Sequence, residues 1–125
     1  MSKRRLSLKV RIPEYHNPRN KWREELNAIV KDEVELRKIG YPISVPLELK
    51  VVLYLKYKGL EVHDVDNRLK DIMDALQGRA GGPKGKPTLK PIIKNDNQIY
   101  KVTIEKLKPP KQSLGQGHLV IMKYK

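Results

Sequence analysis

Residues 47–57 read LELKVVLYLKY, and this stretch constrains how the rest of the chain can be arranged. Every second position is apolar, namely Leu47, Leu49, Val51, Leu53 and Leu55. Because successive side chains of a strand point to opposite faces, the pattern predicts a strand with one face in a core. Such a strand needs partners for its backbone groups and a layer that covers its apolar face. The flanking segments must supply both.

Those flanking segments predict two helices and three further strands. Apolar residues at helical spacing predict one helix over 20–39 that ends at Gly40, and a second over 66–77 that ends at Gly78. Strand patterns occupy three more segments: residues 4–12, 98–107 and 118–125. The predicted order is β-α-β-α-β-β, in one α/β (α+β) domain over residues 1–125 with a mixed sheet of about four strands.

The segment 79–94 is rich in Gly, Pro and Lys and has no apolar period, so we predict a mobile basic loop. It contains five basic residues and no acidic residue: Arg79, Lys84, Lys86, Lys90 and Lys94. Either these side chains contact DNA phosphates or the loop is a solvated linker. The letters GGPKGKP within it lack the first glycine and the hydroxyl residue of a Walker A loop, so no nucleotide cofactor is expected.

The composition is strongly basic, with a formal net charge of +13 and a pI near 10.0. The basic residues come in blocks without acids, which favours a polyanionic partner, and nucleic acid rather than membrane. Cysteine is absent, which excludes disulfides and thiolate metal sites. The longest apolar run is too short to cross a bilayer, and no apolar segment follows the basic N-terminus. We therefore expect a cytoplasmic protein.

One short window departs from this basic character. Residues 60–78 have a net charge of −3, whereas the rest of the chain has +16. Five of the fourteen acidic residues lie in that window: Glu61, Asp64, Asp66, Asp71 and Asp74. Such an acidic island in a basic chain is either ordinary helix chemistry or a place that binds a cation.

Ordinary helix chemistry accounts for each candidate residue taken singly. Asp66 suits the N-cap of the second helix, and Asp64 before it is favoured by the helix dipole. Lys70 lies one turn after Asp66, at the spacing of an i,i+4 ion pair. Asp96, in the stretch KNDNQIY, suits a turn. None of these residues needs a ligand to explain its presence.

A metal site accounts for the same residues taken together. If the chain is extended before the helix, Asp64 and Asp66 point the same way, and two like charges held so close favour a bound cation. Asp96 precedes a strand that can bring it to them if this strand pairs near residues 47–57. Three carboxylates suit Mg²⁺, which polarises phosphate and activates water. Lys70 would then contact the scissile phosphate.

At these residues the sequence resembles the RusA family of Holliday-junction resolvases. DVDNRLKDIMDAL at 64–76 is similar to the family signature D-x-D-N-x-x-K-x-x-x-D-x-L, and IIKNDNQIYKVTIEK at 92–106 is similar to a second family segment. Where the family often has Asp-Asp, this chain has Asn95-Asp96. The resemblance implies a homodimeric endodeoxyribonuclease, dependent on Mg²⁺ or Mn²⁺, that resolves four-way DNA junctions by paired nicks in recombination and repair.

The resemblance also implies roles for single residues. It makes three acids the metal-binding catalytic residues and one lysine the essential basic residue: Asp64, Asp66 and Asp96, with Lys70. It gives structural roles to Asn67, as a hydrogen-bonding residue at the helix start, and to Asp74, as a partner of Lys70 or of a backbone group. A homodimer also has a physical logic, because a two-fold junction needs two symmetric nicks.

A non-catalytic nucleic-acid-binding module, RNA- or ribosome-associated, is the alternative from another class. It explains the net charge of +13 equally well. It does not explain three acids grouped with a lysine, and a chain without phenylalanine gives no support to the aromatic platform of an RRM. The two classes differ in one measurable property, which is metal-dependent cleavage of branched DNA.

Overall fold

The computed structural model describes residues 6–55, 64–81, 88–111 and 117–125. These residues form a small α+β domain in which a four-stranded mixed sheet carries two helices. The elements are β1 (Ser7–Ile12), α1 (Arg19–Leu36), β2 (Leu47–Tyr54), α2 (Val65–Leu76), β3 (Ile99–Leu107) and β4 (Gly117–Lys123). The predicted fold class and the predicted order β-α-β-α-β-β are confirmed.

The ends of the two helices differ in how well the sequence predicts them. Gly78 follows α2 as predicted, with a φ of 79°, and a Cβ there would lie 2.4 Å from a backbone carbonyl oxygen. Gly40 does not end α1, because Lys38 already takes the left-handed conformation with a φ of 57°. The chain turns there since the Ile39 N–H donates to the Val34 carbonyl and the Ile39 side chain packs on the core.

The segment predicted to be a mobile loop, 79–94, is anchored over its second half. Ile92 and Ile93 are fully buried, and the N–H groups of both donate to the carbonyl of Leu76 at the end of α2. Residues 88–94 are therefore attached to the domain, and the mobility of the segment stays a prediction. Two adjacent isoleucines can fill a core without any helical or strand period, so the pattern of the sequence does not reveal them.

The strands lie in the order β1-β4-β2-β3. β4 runs antiparallel to both β1 and β2, whereas β2 and β3 are parallel. Parallel neighbours need a crossover connection, and α2 lies within it. Ile99 pairs with Leu47, so the two strands start at the same end of the sheet. β3 forms one edge of the sheet in the part of the chain that the structure describes.

Both helices cover one face of the sheet, and the core lies between the two layers. The side chains in it alternate along the strands and recur at helical spacing in α1 and α2. The largest fully buried ones are Trp22, Leu8, Ile12, Leu26, Leu47, Leu49, Ile72, Leu76, Ile92, Ile93, Leu119 and Ile121. The intervening strand residues are half-buried or exposed, so the opposite face is open within the described ranges. Neither described helix is both long and apolar enough to span a bilayer.

Buried ion pairs around Asp71 join the two helices. The Asp71 side chain has no exposed surface. Its Oδ1 accepts hydrogen bonds from Nε and Nη2 of Arg23, at 3.0 and 2.8 Å, and lies 3.0 Å from Nε of Arg19. Nε of Arg68 lies 3.3 Å from the other carboxylate oxygen. Arg23 also forms an ion pair with Asp74 at 3.0 Å. A buried carboxylate needs such partners, because burial without them is costly.

The two helices run in the same direction, antiparallel to β2 and β3. One turn beyond the contact with Asp71, Asn27 of α1 donates to the carbonyl of Ala75 at 2.9 Å. Nη1 of Arg37 donates to the carbonyl of Ser7 at 3.2 Å, so α1 ends where β1 starts. β1 and β2 are both antiparallel to β4 and hence parallel to each other. Therefore α2 starts beyond the end of β2 and finishes near its beginning.

Replacing Asp71 with asparagine should lower the free energy of unfolding by about 3–5 kcal/mol, because three guanidinium groups lose their shared buried counter-charge. Urea denaturation followed by circular dichroism measures the change. The matched control is Asp32→Asn on the exposed side of α1, which should change stability by less than about 0.5 kcal/mol. Equal effects of the two substitutions would contradict the structural role given to Asp71.

Candidate active site

The acidic residues of the second helix region fall into two pairs with different surroundings. Asp71 and Asp74 face α1 and are bound by arginines, so Asp74 pairs with Arg23 and not with Lys70. Asp64 and Asp66 are exposed and form no salt bridge with any described residue. Two of the five acids of the island therefore serve helix packing and two face solvent, while Glu61 lies outside the described residues.

The start of α2 differs from the predicted one by a single residue. The helix begins at Val65, so Asp64 is the N-cap and Asp66 lies in the first turn. The Asp64 backbone is extended, with φ −81° and ψ 138°, but its carboxylate accepts no capping hydrogen bond from the helix. The interpretation of Asp66 as an N-cap is thus wrong, and neither carboxylate caps α2. Both lie at the positive end of the helix dipole, which favours negative charge.

Lys70 lies one helical turn after Asp66 and is exposed. Within the described ranges its ammonium forms no salt bridge with Asp66 or with Asp74, although the spacing permits both. The surface at the start of α2 consequently presents two carboxylates and an ammonium group to solvent. We call Asp64, Asp66 and Lys70 the α2 polar surface.

Asp96 lies in a short, firmly held turn before β3. It is exposed and begins a single 3₁₀ turn, Asp96–Gln98. The Asn95 side chain accepts from the Asn97 N–H at 2.9 Å and caps this turn, so Asn95 has a structural role. The buried Gln98 amide accepts from the N–H groups of Asn95 and Lys94. It also donates to two backbone carbonyls that precede β2.

One chain holds Asp96 and the α2 polar surface at opposite ends of α2. Ile93, three residues before Asp96, donates to the carbonyl of Leu76 at the last residue of the helix. Asp64 directly precedes the first turn, and a helix of 12 residues is about 18 Å long. Among the described residues no group of three or more acidic or histidine side chains has an arrangement that can hold a metal ion. The structure therefore does not bring Asp96 to Asp64 within one chain.

This separation follows from strand direction. The condition set for Asp96 in the sequence analysis is met, because the strand after it pairs with Leu47–Tyr54, but the pairing is parallel. Parallel pairing places the start of β3 beside the start of β2, whereas α2 begins beyond the end of β2. An antiparallel pairing would have given the opposite result. Strand direction is a tertiary property that the local residue pattern does not contain.

The basic residues predicted to bind DNA lie at the same end of α2 as Asp96. Arg79 follows the helix directly, and Lys90 and Lys94 belong to the segment anchored on Leu76; all three are exposed. The Lys90 ammonium lies 4.9 Å from the centre of a tyrosine ring. Two further predicted DNA contacts, Lys84 and Lys86, lie outside the described residues.

Comparison with known proteins gives this chain no family. A scan against protein-family models finds no match, and a search of curated proteins finds none either. The resemblance to the RusA family therefore rests on the motifs at 64–76 and 92–106. In the structure the first motif forms α2, and the second forms the anchored turn and most of β3.

Proposed function

We propose that this protein is a metal-dependent endodeoxyribonuclease of the RusA type that nicks branched DNA, with Asp64 and Asp66 as metal ligands. The observation that carries the proposal is the α2 polar surface. It presents two exposed carboxylates, neither used for capping nor for a salt bridge with a described residue, in a chain of net charge +13. Exposed carboxylates would repel the phosphates of DNA that binds to such a basic chain. A cation between the carboxylates and the DNA would remove this repulsion.

The donor chemistry of this surface fits a magnesium site completed by the substrate. Mg²⁺ in phosphate-processing sites is commonly held by one or two carboxylates, several waters and the phosphate itself. When bound, the ion would activate a water nucleophile and polarise the phosphate. Asp64 and Asp66 would hold it, and the start of α2 adds free backbone N–H groups that favour an anionic substrate. Buried ion pairs at Asp71 fix the helix that carries both ligands.

Lys70 is the residue of this surface suited to the reacting phosphate. It lies one turn along α2 from Asp66, and its exposed ammonium can reach over the first turn of the helix. An ammonium at that place would stabilise the negative charge that develops on the phosphate oxygens. Its separation from the carboxylates of Asp71 and Asp74 leaves this charge available, since both of those are held by arginines.

Asp96 enters such a site only if a second copy supplies it. Within one chain α2 separates it from Asp64 and Asp66, so a site with all three acids needs Asp96 of another protomer. A two-fold dimer would contain two such sites, each built from both chains, and would match the two symmetric nicks of a four-way junction. The homodimer and the third ligand are therefore parts of one proposal.

Asp64→Asn, Asp66→Asn and Lys70→Ala should each slow Mg²⁺-dependent nicking of a synthetic four-way junction by roughly a hundredfold or more, equivalent to about 3 kcal/mol. Junction binding should persist in the asparagine variants, because each removes a negative charge. Gel analysis of end-labelled junctions measures cutting, and Asp32→Asn is the control that should cut normally. Near-normal cutting by either asparagine variant would remove that residue from the site.

An equal mixture of Asp66→Asn and Asp96→Asn chains, refolded together, should recover about a quarter of wild-type nicking, because half the dimers are mixed and one of their two sites is intact. Each variant alone should be inactive. The control mixture combines Asp64→Asn with Asp66→Asn, which places a mutation in every site and should recover nothing. One of the two chains is labelled with ¹⁵N, so that the mass of each dimer shows whether it is mixed. Failure of the first mixture in dimers shown to be mixed would contradict the use of Asp96 from a second copy.

A second candidate function, a non-catalytic nucleic-acid-binding module, is favoured by the open face of the sheet. The Tyr54 and His118 rings meet edge-on there with centroids 5.5 Å apart, and both are half-exposed. Lys9 and Arg11 of β1 lie beside them, and Arg11 pairs directly with His118. Aromatic rings next to cations can stack bases while the cations bind phosphates.

His118 reports on this face through its pKa. Burial, followed by the charges of Lys9 and Arg11, lowers that pKa below its usual value. If the open face binds an oligonucleotide, phosphates should offset the two cations, and the pKa of His118 should rise when the oligonucleotide is added. NMR titration of the histidine ring protons measures this. The control is His16, whose pKa is raised by its hydrogen bond to Glu25 and should not move.

An unchanged pKa of His118 in a complex that still forms would exclude the open face as the binding surface. The outcome also separates the two candidate functions. Binding at the open face without any cutting in Mg²⁺ or Mn²⁺ favours the module, whereas cutting that depends on Asp64 and Asp66 favours the nuclease.

A further inference from the structure

The outer edge of β3 is the longest strand edge in the described sheet. β3 has 9 residues, and within the described ranges no strand pairs with its outer side. Two of the few large apolar side chains on the surface lie near its ends, Tyr100 with 61% and Leu107 with 42% of their area exposed. Long edges with exposed apolar groups are places where another chain adds a strand.

We propose that β3 pairs antiparallel with β3 of a second copy of this chain, with the two Thr103 residues facing each other on the two-fold axis. Three features of β3 favour this register. They are its backbone hydrogen bonds, the charges along it and its half-buried side chains.

The backbone limits which registers are possible. The N–H of Leu55 donates to the carbonyl of Leu107 at 3.0 Å, so the backbone polar groups of Leu107 face β2. Backbone direction alternates along a strand, and therefore Thr103 and Glu105 also face β2 while Val102 and Ile104 face outward. A second β3 must bring its own outward residues against Val102 and Ile104. This condition excludes every register that opposes an outward residue to an inward one.

The charges select one register among those that remain. With the axis at Thr103, Lys101 of each chain lies opposite Glu105 of the second copy, which forms two pairs of opposite charge. An axis at Lys101 or at Glu105 would oppose like charges. Axes at Val102 or Ile104 would leave both charges opposite uncharged residues. Lys101 already lies 3.9 Å from Glu48 of its own chain, but 61% of its side chain is exposed and can reach across the edge.

The same register would cover core side chains that remain half-exposed at the edge of the sheet. Val102 and Ile104 pack against the core but remain half-exposed at the sheet edge. With the axis at Thr103, Val102 of one chain faces Ile104 of the other, twice. Cross-strand pairs of β-branched side chains stabilise a sheet. Because the same edge of β3 is used by both chains, the interface is self-complementary and forms a closed dimer.

One consequence rests on the proposed function. Antiparallel pairing brings the start of one β3 to the end of the other, and the end of β3 is where α2 of that chain begins. Asp96 precedes β3 by three residues, so the pairing moves it toward Asp64 and Asp66 of the second copy. The pairing itself is inferred from the edge alone, and its test needs no cutting assay.

A single cysteine at the axis tests the register. The chain contains no cysteine, so Thr103→Cys carries one thiol. Directly opposed residues of a non-hydrogen-bonded antiparallel pair have Cα atoms about 4.5 Å apart, within the range of a disulfide. Mild oxidation should convert most of the protein into a covalent dimer on a non-reducing gel.

Off-axis cysteines are the matched controls. Lys101→Cys and Glu105→Cys should not cross-link singly, since each lies opposite the other position, but the double variant should. Cross-linking of Lys101→Cys as readily as Thr103→Cys would overturn the register. A dimer by mass that does not cross-link at residue 103 would overturn the β3 interface.

Charge reversal tests the interface without any cysteine. Glu105→Lys alone and Lys101→Glu alone each oppose like charges at both pairs, so each should dimerise at least tenfold more weakly than the wild type by light scattering. An equal mixture of the two chains restores both opposite-charge pairs and should regain the dimer. A wild-type chain that stays monomeric at all concentrations, or a mixture that does not associate, would overturn the proposal.

Discussion

The carboxylate of Asp71 is the buried charge around which the helical layer is arranged. It has no exposed surface, and guanidinium groups from both helices surround it. A buried charge of this kind tolerates little displacement, because any helix shift leaves either a carboxylate or an arginine unpaired in a poorly solvated place. Burying Asp71 together with Arg23 and Arg68 at one contact is costly, but the contact fixes the direction and the register of α2 against α1. The positions of Asp64, Asp66 and Lys70 depend on that register.

The same contact explains why the aspartates of the acidic island have two different environments. Asp71 and Asp74 point toward α1 and neutralise arginines, whereas Asp64 and Asp66 are half a helix away and point to solvent. These four aspartates lie close together in the sequence. The helical period nevertheless places Asp71 and Asp74 on the side of α2 that faces α1, and leaves Asp64 and Asp66 facing solvent. Only the solvent-facing pair is available for a ligand. The ion pairs of Asp71 and Asp74 hold the helix that carries it, so the packing of α2 and the chemistry proposed for it depend on the same helix of about three turns.

The parts of the fold that local patterns determine are predictable from the sequence, and the parts that depend on distant contacts are not. Alternation in residues 47–57 correctly predicts β2, and the apolar stripe with Gly78 predicts α2 to within one residue. Gly40 misleads because the turn after α1 is made by Lys38, where packing of the neighbouring Ile39 overrides backbone preference. Nothing local reveals that β3 is parallel to β2. That single fact separates Asp96 from Asp64.

The separation of charge along α2 gives the strongest argument that the functional unit is larger than one chain. Exposed basic residues, Arg79, Lys90 and Lys94, gather with Asp96 at one end of the helix, while the acidic pair lies at the other. In a monomer, DNA drawn to the basic end would lie about 18 Å from the proposed ligands, which is the length of the helix. If β3 pairs with β3 as proposed, the two-fold axis turns the basic end of each chain toward the acidic pair of the other. Electrostatic attraction of DNA and metal-dependent cutting would then act at one place, which the strand order of a single chain does not allow.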